Sequence, residues 1–198
     1  MKVIFATGNE GKMREVRKIM EGTEFECVSM KEEGVGLDIV EDGTTFTENA
    51  LIKAREVSKA TGLPAMADDS GIEIDYFDKK PGIYSARWLG EDTTYDIKNG
   101  YILDKMKDVP DEKRNARYVC AIALVFPDGR EYTTLETLEG MIAHEPAGDG
   151  GFGYDPIFYL PEYGRTDAEL TTDEKNAISH RGKALRAMIK LYEDTDNK

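Results

Sequence analysis

The chain has few cysteines and few cations, and it has no long apolar run. Cys27 and Cys120 lie far apart, so they offer neither a disulfide framework nor metal-ligand spacing. No apolar stretch approaches the length of a membrane span. The opening Met1–Ala6 reads as a strand running directly into Thr7-Gly8-Asn9, not as a secretory leader. These features point to a reduced, cytoplasmic protein with no membrane partner. Lysine and arginine total 26 against 39 acids, a net charge of −13. A surface of that sign repels polyanions and argues against a nucleic-acid partner. A small anionic substrate would then need a local cationic pocket or a metal. There is no internal repeat and no low-complexity segment. With 198 residues, 40% hydrophobic and 33% charged, the chain is most simply one globular domain.

Residues Lys2–Ala6 form a short apolar strand, and Met13, Val16 and Met20 then mark one face of a helix. Between them lies Thr7-Gly8-Asn9-Glu10-Gly11-Lys12. A strand, a glycine turn and a helix start offer backbone N–H groups to a phosphate, and Lys12 adds a movable charge. The loop is too short for a Walker A motif, and Met13 stands where Ser or Thr would be needed. An ordinary turn capped by Asn9 has the same composition. Glu24–Val28 reads as a second strand, Gly34–Glu41 as irregular, and Thr45–Ala60 as a helix burying Phe46, Ala50, Ala54 and Val57. Glu41 precedes that helix. Lys53 sits within it, spaced as a surface lysine unless the helix borders a pocket.

Asp68 and Asp69 end the apolar run Leu63–Ala67, and Gly71 is expected to turn the chain before a second strand at Ile72–Asp75. Such a turn would aim both acids at one cavity, where they could hold Mg²⁺ and supply a general base. A solvated turn capped by Asp and Ser side chains is the plainer alternative. Pro81–Trp88 has the look of a loop with buried aromatics, and Thr94–Lys107 that of a helix. Arg117–Phe126 and Glu131–Leu138 are strands joined at Asp128-Gly129. Hairpins alternating with helices predict a mixed α/β sheet protein.

In Gly148–Phe158, glycines crowd around Phe152, which could stack on a base or pack inward in a hairpin connection. Ser179 is placed to cap a last helix lined by Leu185, Met188 and Tyr192. His180 and Arg181 in its first turn oppose the helix dipole, which suggests an electron-rich partner. His144 has no such context and is read as structural. The charged tail Glu193–Lys198 is expected to fray.

Thr7–Lys12, Ala67–Gly71, Pro81–Arg87, Gly151–Pro156 and Ser179–Gly182 together resemble the inosine triphosphate pyrophosphatase family, in order and spacing, from Val3 to about Leu191. The resemblance implies an elongated α/β fold, a mixed sheet with flanking helices and two lobes enclosing a central cleft. It implies a homodimer that hydrolyses ITP, dITP and XTP to the monophosphate and pyrophosphate, cleansing the nucleotide pool. By that likeness Thr7, Gly8, Asn9, Glu10, Gly11 and Lys12 hold the triphosphate with Lys53. Glu41, Asp68 and Asp69 hold Mg²⁺, Asp69 accepts the proton of the attacking water, and Ser70 contacts substrate. Phe152, Gly153, Tyr154 and Asp155 border the base, and Lys175, His180 and Arg181 close over base and sugar. Donors on Arg181 would favour a purine with a six-carbonyl, placing ITP and XTP above GTP, and GTP at or above ATP. Rival readings are a Maf-like nucleotide pyrophosphatase, which should lack Ser179-His180-Arg181, and a non-catalytic nucleotide sensor, which would not need Asp69, Glu41 and Lys12.

Overall fold

The computed structural model describes residues 1–196. One mixed sheet carries eight strands: β1 (Lys2–Phe5), β2 (Glu26–Ser29), β3 (Ala65–Ile74), β4 (Lys80–Pro81), β5 (Asn115–Val125), β6 (Glu131–Ile142), β7 (Phe158–Leu160) and β8 (Arg165–Thr166). The order is β2-β1-β3-β5-β6-β7-β8, with β4 on β3. β1 is parallel to β2 and β3, whereas β4 is antiparallel to β3, and β7 is antiparallel to β6 and β8. The helices are α1 (Glu10–Met20), α2 (Phe46–Thr61), α3 (Tyr95–Met106), α4 (Thr172–Ile178) and α5 (His180–Asp196). The mixed α/β architecture is the one expected. Among the described residues no helix is long and apolar enough to cross a membrane.

The chain forms two compact units. One comprises Met1–Asp69, Cys120–Glu136 and the C-terminal segment from His180; the other comprises Ser70–Val119 and Thr137–Ser179. The first has a core of Val3, Phe5, Met66, Cys120, Ile122 and Leu124 with Met13, Val16 and Met20 of α1 and Ala184, Leu185 and Met188 of α5. Val3, Ile4 and Phe5 are all fully buried, as a parallel strand covered on both faces requires. α1 packs with α5, and α2 against β1. α1 begins because Asn9 caps it, accepting from Gly11 N–H at 2.9 Å and Lys12 N–H at 3.1 Å. α2 is capped by Thr45 and ends at Gly62, whose φ of 67° suits glycine.

The second unit buries Ile72, Ile74, Ile102, Met106, Tyr118, Ile157 and Phe158. Its core contains Arg114, which is fully buried. That guanidinium donates to the carbonyls of Met106, Val109, Ile142 and Ala143, closing the end of α3 and the end of β6 with one forked side chain.

Several expectations need correction. No turn occurs at Gly71: β3 runs unbroken through Asp68, Asp69, Ser70 and Gly71. The residues on either side are apolar enough to be buried on both faces, so pairing continues across the acids. β6 extends to Ile142, four residues past Leu138, and α5 carries the expected frayed tail as helix through Asp196. Asn197 and Lys198 lie outside the described residues. In the Pro81–Trp88 loop Tyr84 is exposed, with the Arg87 guanidinium 5.0 Å from its ring centre.

Candidate active site

Because β3 is continuous, strand alternation sends Asp68 and Asp69 to opposite faces of the sheet. Met66, two residues before Asp68, belongs to the core shared with α1 and α5. Asp68 accordingly meets those helices: Lys12 Nζ stands 2.8 Å from Oδ2, and Arg181 Nε donates to it at 3.3 Å. A second arm of Arg181, Nη1, donates to Glu15 on α1. Asp69 meets α2 instead. Asn49 Nδ2 donates to its Oδ2 at 3.1 Å, and Lys53 Nζ lies 3.7 Å from Oδ1 and 2.6 Å from Glu41. Lys53 is thus no surface lysine. Its ammonium joins the two carboxylates that β3 and the loop before α2 bring together.

Electrostatics follow this division. Asp68 is 1% exposed, and burial alone would raise its pKa; Lys12, Arg181 and Lys53 outweigh that and hold the carboxyl far below its usual range. Asp69, 8% exposed, goes the other way. Burial pushes it up, the pull of Lys53 and the Asn49 hydrogen bond falls short of cancelling that, and Glu41 adds to the rise. Burial would lower Lys53, but Asp68, Asp69 and Glu41 hold its pKa above the ordinary value. The adjacent acids therefore have different characters: one is locked as an anion, the other is made more basic. Among the described residues no three His, Cys, Asp or Glu side chains gather as a metal cage. Mg²⁺ does not need one, since one or two carboxylates with substrate oxygens and water suffice. Glu41 and Asp69, sharing one ammonium, fit that need. Asp68, on the opposite face, does not.

The other unit has its own charged cluster. Asp155 accepts from Tyr118 Oη at 2.8 Å, from Phe152 N–H at 2.7 Å, and from Lys175 Nζ. Lys175 also meets Asp167 at 2.9 Å. Burial, together with neighbouring Asp155, raises the Asp167 pKa despite Lys175. Gly151 turns with φ 72°, and a Cβ there would stand 2.1 Å from Asp155 Oδ2, so only glycine lets the loop close on this carboxylate. The result is a Phe152 ring 40% exposed, with the Lys175 ammonium 5.5 Å from its centre. Its neighbour Tyr154 is buried instead, donating to Ser85 O at 2.7 Å, while Asn99 donates to Gly153 O at 3.1 Å.

The sequence profile of the Ham1 family matches residues 3–191. The chain belongs to the Ham1 family. A dITP/XTP pyrophosphatase of Thermus thermophilus is 46% identical over 194 residues, 98% of this chain and 93% of that one. A dITP/XTP pyrophosphatase of Escherichia coli K12 is 47% identical over 191 residues, covering 95% and 96%. The solved HAM1 protein of Coxiella burnetii superposes with a TM-score of 0.89 at 40% identity, covering 98% of this chain and all of that one.

In this Ham1 family chain the expected residues fall into separate groups. Thr7–Asn9 form the loop before α1 and Glu10–Lys12 its first turn, and Lys12, Asp68 and Arg181 cluster on the side toward α1 and α5. Glu41, Lys53 and Asp69 cluster on the side toward α2, near enough that Lys53 also acts on Asp68 and Lys12 on Asp69. Phe152, Gly153, Tyr154, Asp155 and Lys175 cluster in the second unit, to which Ser70 of β3 also belongs. His180 is buried at the start of α5, directly after Ser179, which ends α4. His144 pairs with Asp111 at 2.6 Å on the surface. The residues reasoning from sequence missed are Asn49, Glu15 and Asp167. Asn49 lies four residues before Lys53 and Glu15 three after Lys12, so helical spacing could have flagged both. Asp167 sits in a short turn with no local signal for its role.

Proposed function

We propose that this chain is a nucleoside triphosphate pyrophosphatase that hydrolyses dITP, XTP and ITP to the monophosphate and pyrophosphate with Mg²⁺. The observation that carries the reading is Asp69: a buried carboxylate made more basic by its surroundings, held by Asn49 and lying close to Lys53 and Glu41. Relatives 46% and 47% identical bear the name dITP/XTP pyrophosphatase. Asp69 accepts the proton of the attacking water. Lys53 and Lys12 neutralise the triphosphate, for which Gly8 and Glu10 supply the backbone donors at the start of α1, those of Gly11 and Lys12 being held by the Asn9 cap. Glu41 and Asp69 hold Mg²⁺, which, when bound, offsets the phosphate charge that a chain of net charge −13 would repel.

Arg181 is reassigned. Its guanidinium is committed to Asp68 and Glu15, so it fixes Asp68 rather than reading the base. In the second unit, Phe152 offers an exposed ring for stacking, and Lys175 beside it, two of whose three N–H donors go to Asp155 and Asp167, keeps the third for a six-carbonyl. Adenine presents an amino group there, and two unpaired donors cost about 10²-fold in turnover. The same reading has the protein work as a homodimer in a reducing cytoplasm, cleansing the nucleotide pool. Purified protein with Mg²⁺ and a panel of dITP, XTP, GTP and ATP tests it. dITP and XTP should far exceed GTP, with GTP at or above ATP; equal turnover of ATP and dITP would refute it.

A further inference from the structure

Asn49 is 1% exposed in the first turns of α2, where packing alone would favour an apolar side chain. Both ends of its amide are used. Oδ1 accepts from Gly43 N–H at 2.9 Å, which identifies the oxygen end, so Nδ2 faces Asp69 and donates to Oδ2. Gly43 leaves no slack: a Cβ there would stand 2.6 Å from Asn49 Oδ1. One helical turn on, Lys53 repeats the pattern, meeting Glu41 of the same loop and Oδ1 of the same carboxylate. Two residues on one face of α2 therefore each join the 41–43 loop to Asp69.

We propose that Asn49 is a positioning residue that fixes the rotation of the Asp69 carboxylate and ties it to the Glu41 loop, holding Oδ2 while Oδ1 is turned toward Lys53 and the reacting water. The proposal rests on Asp69 as proton acceptor. A buried Asn kept for stability alone would change the melting temperature and leave the chemistry intact.

Two variants test it from opposite sides. Asn49→Leu keeps the branched four-atom shape and removes the amide; Gly43→Ala keeps the amide and crowds its oxygen, while also pressing on Glu48 Cβ and the Asn49 N–H in the first turn of α2. Each is measured for melting temperature, for kcat and KM with dITP, and for Mn²⁺ affinity without substrate. In Asn49→Leu, kcat should fall about 10²-fold with KM changed less than about threefold, since a small misplacement of a reacting group acts on the chemical step. Mn²⁺ affinity should fall about tenfold, as when the support of a metal-binding carboxylate is lost. Gly43→Ala should lower kcat in the same direction. A normally melting Asn49→Leu variant with wild-type kcat, a loss confined to KM, or unchanged Mn²⁺ affinity overturns the proposal. If Asn49→Leu does not fold, unchanged kcat in Gly43→Ala overturns it. A wild-type protein inactive on dITP would instead defeat the functional reading, and Mn²⁺ affinity would still decide the role of Asn49.

Discussion

Replacing Arg181 with Met keeps most of the side chain's length and removes its charge from the most enclosed ion cluster of the first unit. Asp68 would lose one of its two close cations while 1% exposed, and Glu15 would lose its partner. Breaking a buried pair from one side costs about 3–5 kcal/mol. The lower end applies here, because Lys12 remains 2.8 Å from Asp68 and the Glu15 side chain, 15% exposed, can turn to water. About 3 kcal/mol in a chain of this size lowers Tm by about 6–12 °C. The pH dependence has a definite sign. The folded pKa of Asp68 is depressed, so its contribution is present above the unfolded value of about 4 and is lost as pH falls through the folded value. Urea unfolding followed by circular dichroism should show the gap between wild type and Arg181→Met constant near neutrality and narrowing in acid. Adding Asp68→Asn should recover part of the loss by removing the stranded charge. On the proposed role of Arg181 in fixing Asp68, residual dITP and ATP turnover should fall together. A variant within about 0.5 kcal/mol of wild type, the size of an ordinary surface change, would refute the electrostatic account. A collapsed dITP-to-ATP ratio would put Arg181 on the base.

Asp69→Asn should keep the far-UV spectrum and lose about 10³-fold in kcat, because an amide cannot accept the proton; near-normal turnover removes Asp69 from the mechanism. Asp167 has a raised folded pKa, so folding holds its proton and stability is lost as pH rises from about 4 through the raised value. Asp167→Asn should therefore gain in Tm over wild type at pH 8 relative to pH 4, as scanning calorimetry would show; a gain that shrinks with rising pH contradicts this. Burial pushes Cys27 to about 11 and Cys120 to about 12. Ellman's reagent at pH 8 should react slowly with the native protein and find two thiols per chain in denaturant without reductant, whereas finding none would mean a disulfide.

The helix faces were legible because burial imposes a period: Met13, Val16 and Met20, or Phe46, Ala50, Ala54 and Val57, leave one answer. The Asp128-Gly129 hairpin was legible from the turn chemistry alone, and Gly129 has the positive φ that it needs. β3 was misread because Asp-Asp-Ser-Gly is turn composition, and only tertiary pairing keeps it extended. That single error put Asp68 and Asp69 in one cavity, when alternation separates them and gives them different partners. Lys53 was misread for a related reason. Its helical position is local information, whereas the loop carrying Glu41 arrives from outside any periodic pattern. Arg181 illustrates the limit most plainly: its partners Glu15 and Asp68 are remote in sequence, and only the packing of α1, β3 and α5 joins them.

The central claim is that the phosphate-facing groups of the first unit direct water to a bond inside the triphosphate, so that two phosphates leave as one. Phosphorus NMR of dITP incubated with the protein and Mg²⁺ measures this directly. The account predicts dIMP and pyrophosphate in equal amounts from the first turnover, with no orthophosphate. Early dIDP with orthophosphate would contradict it.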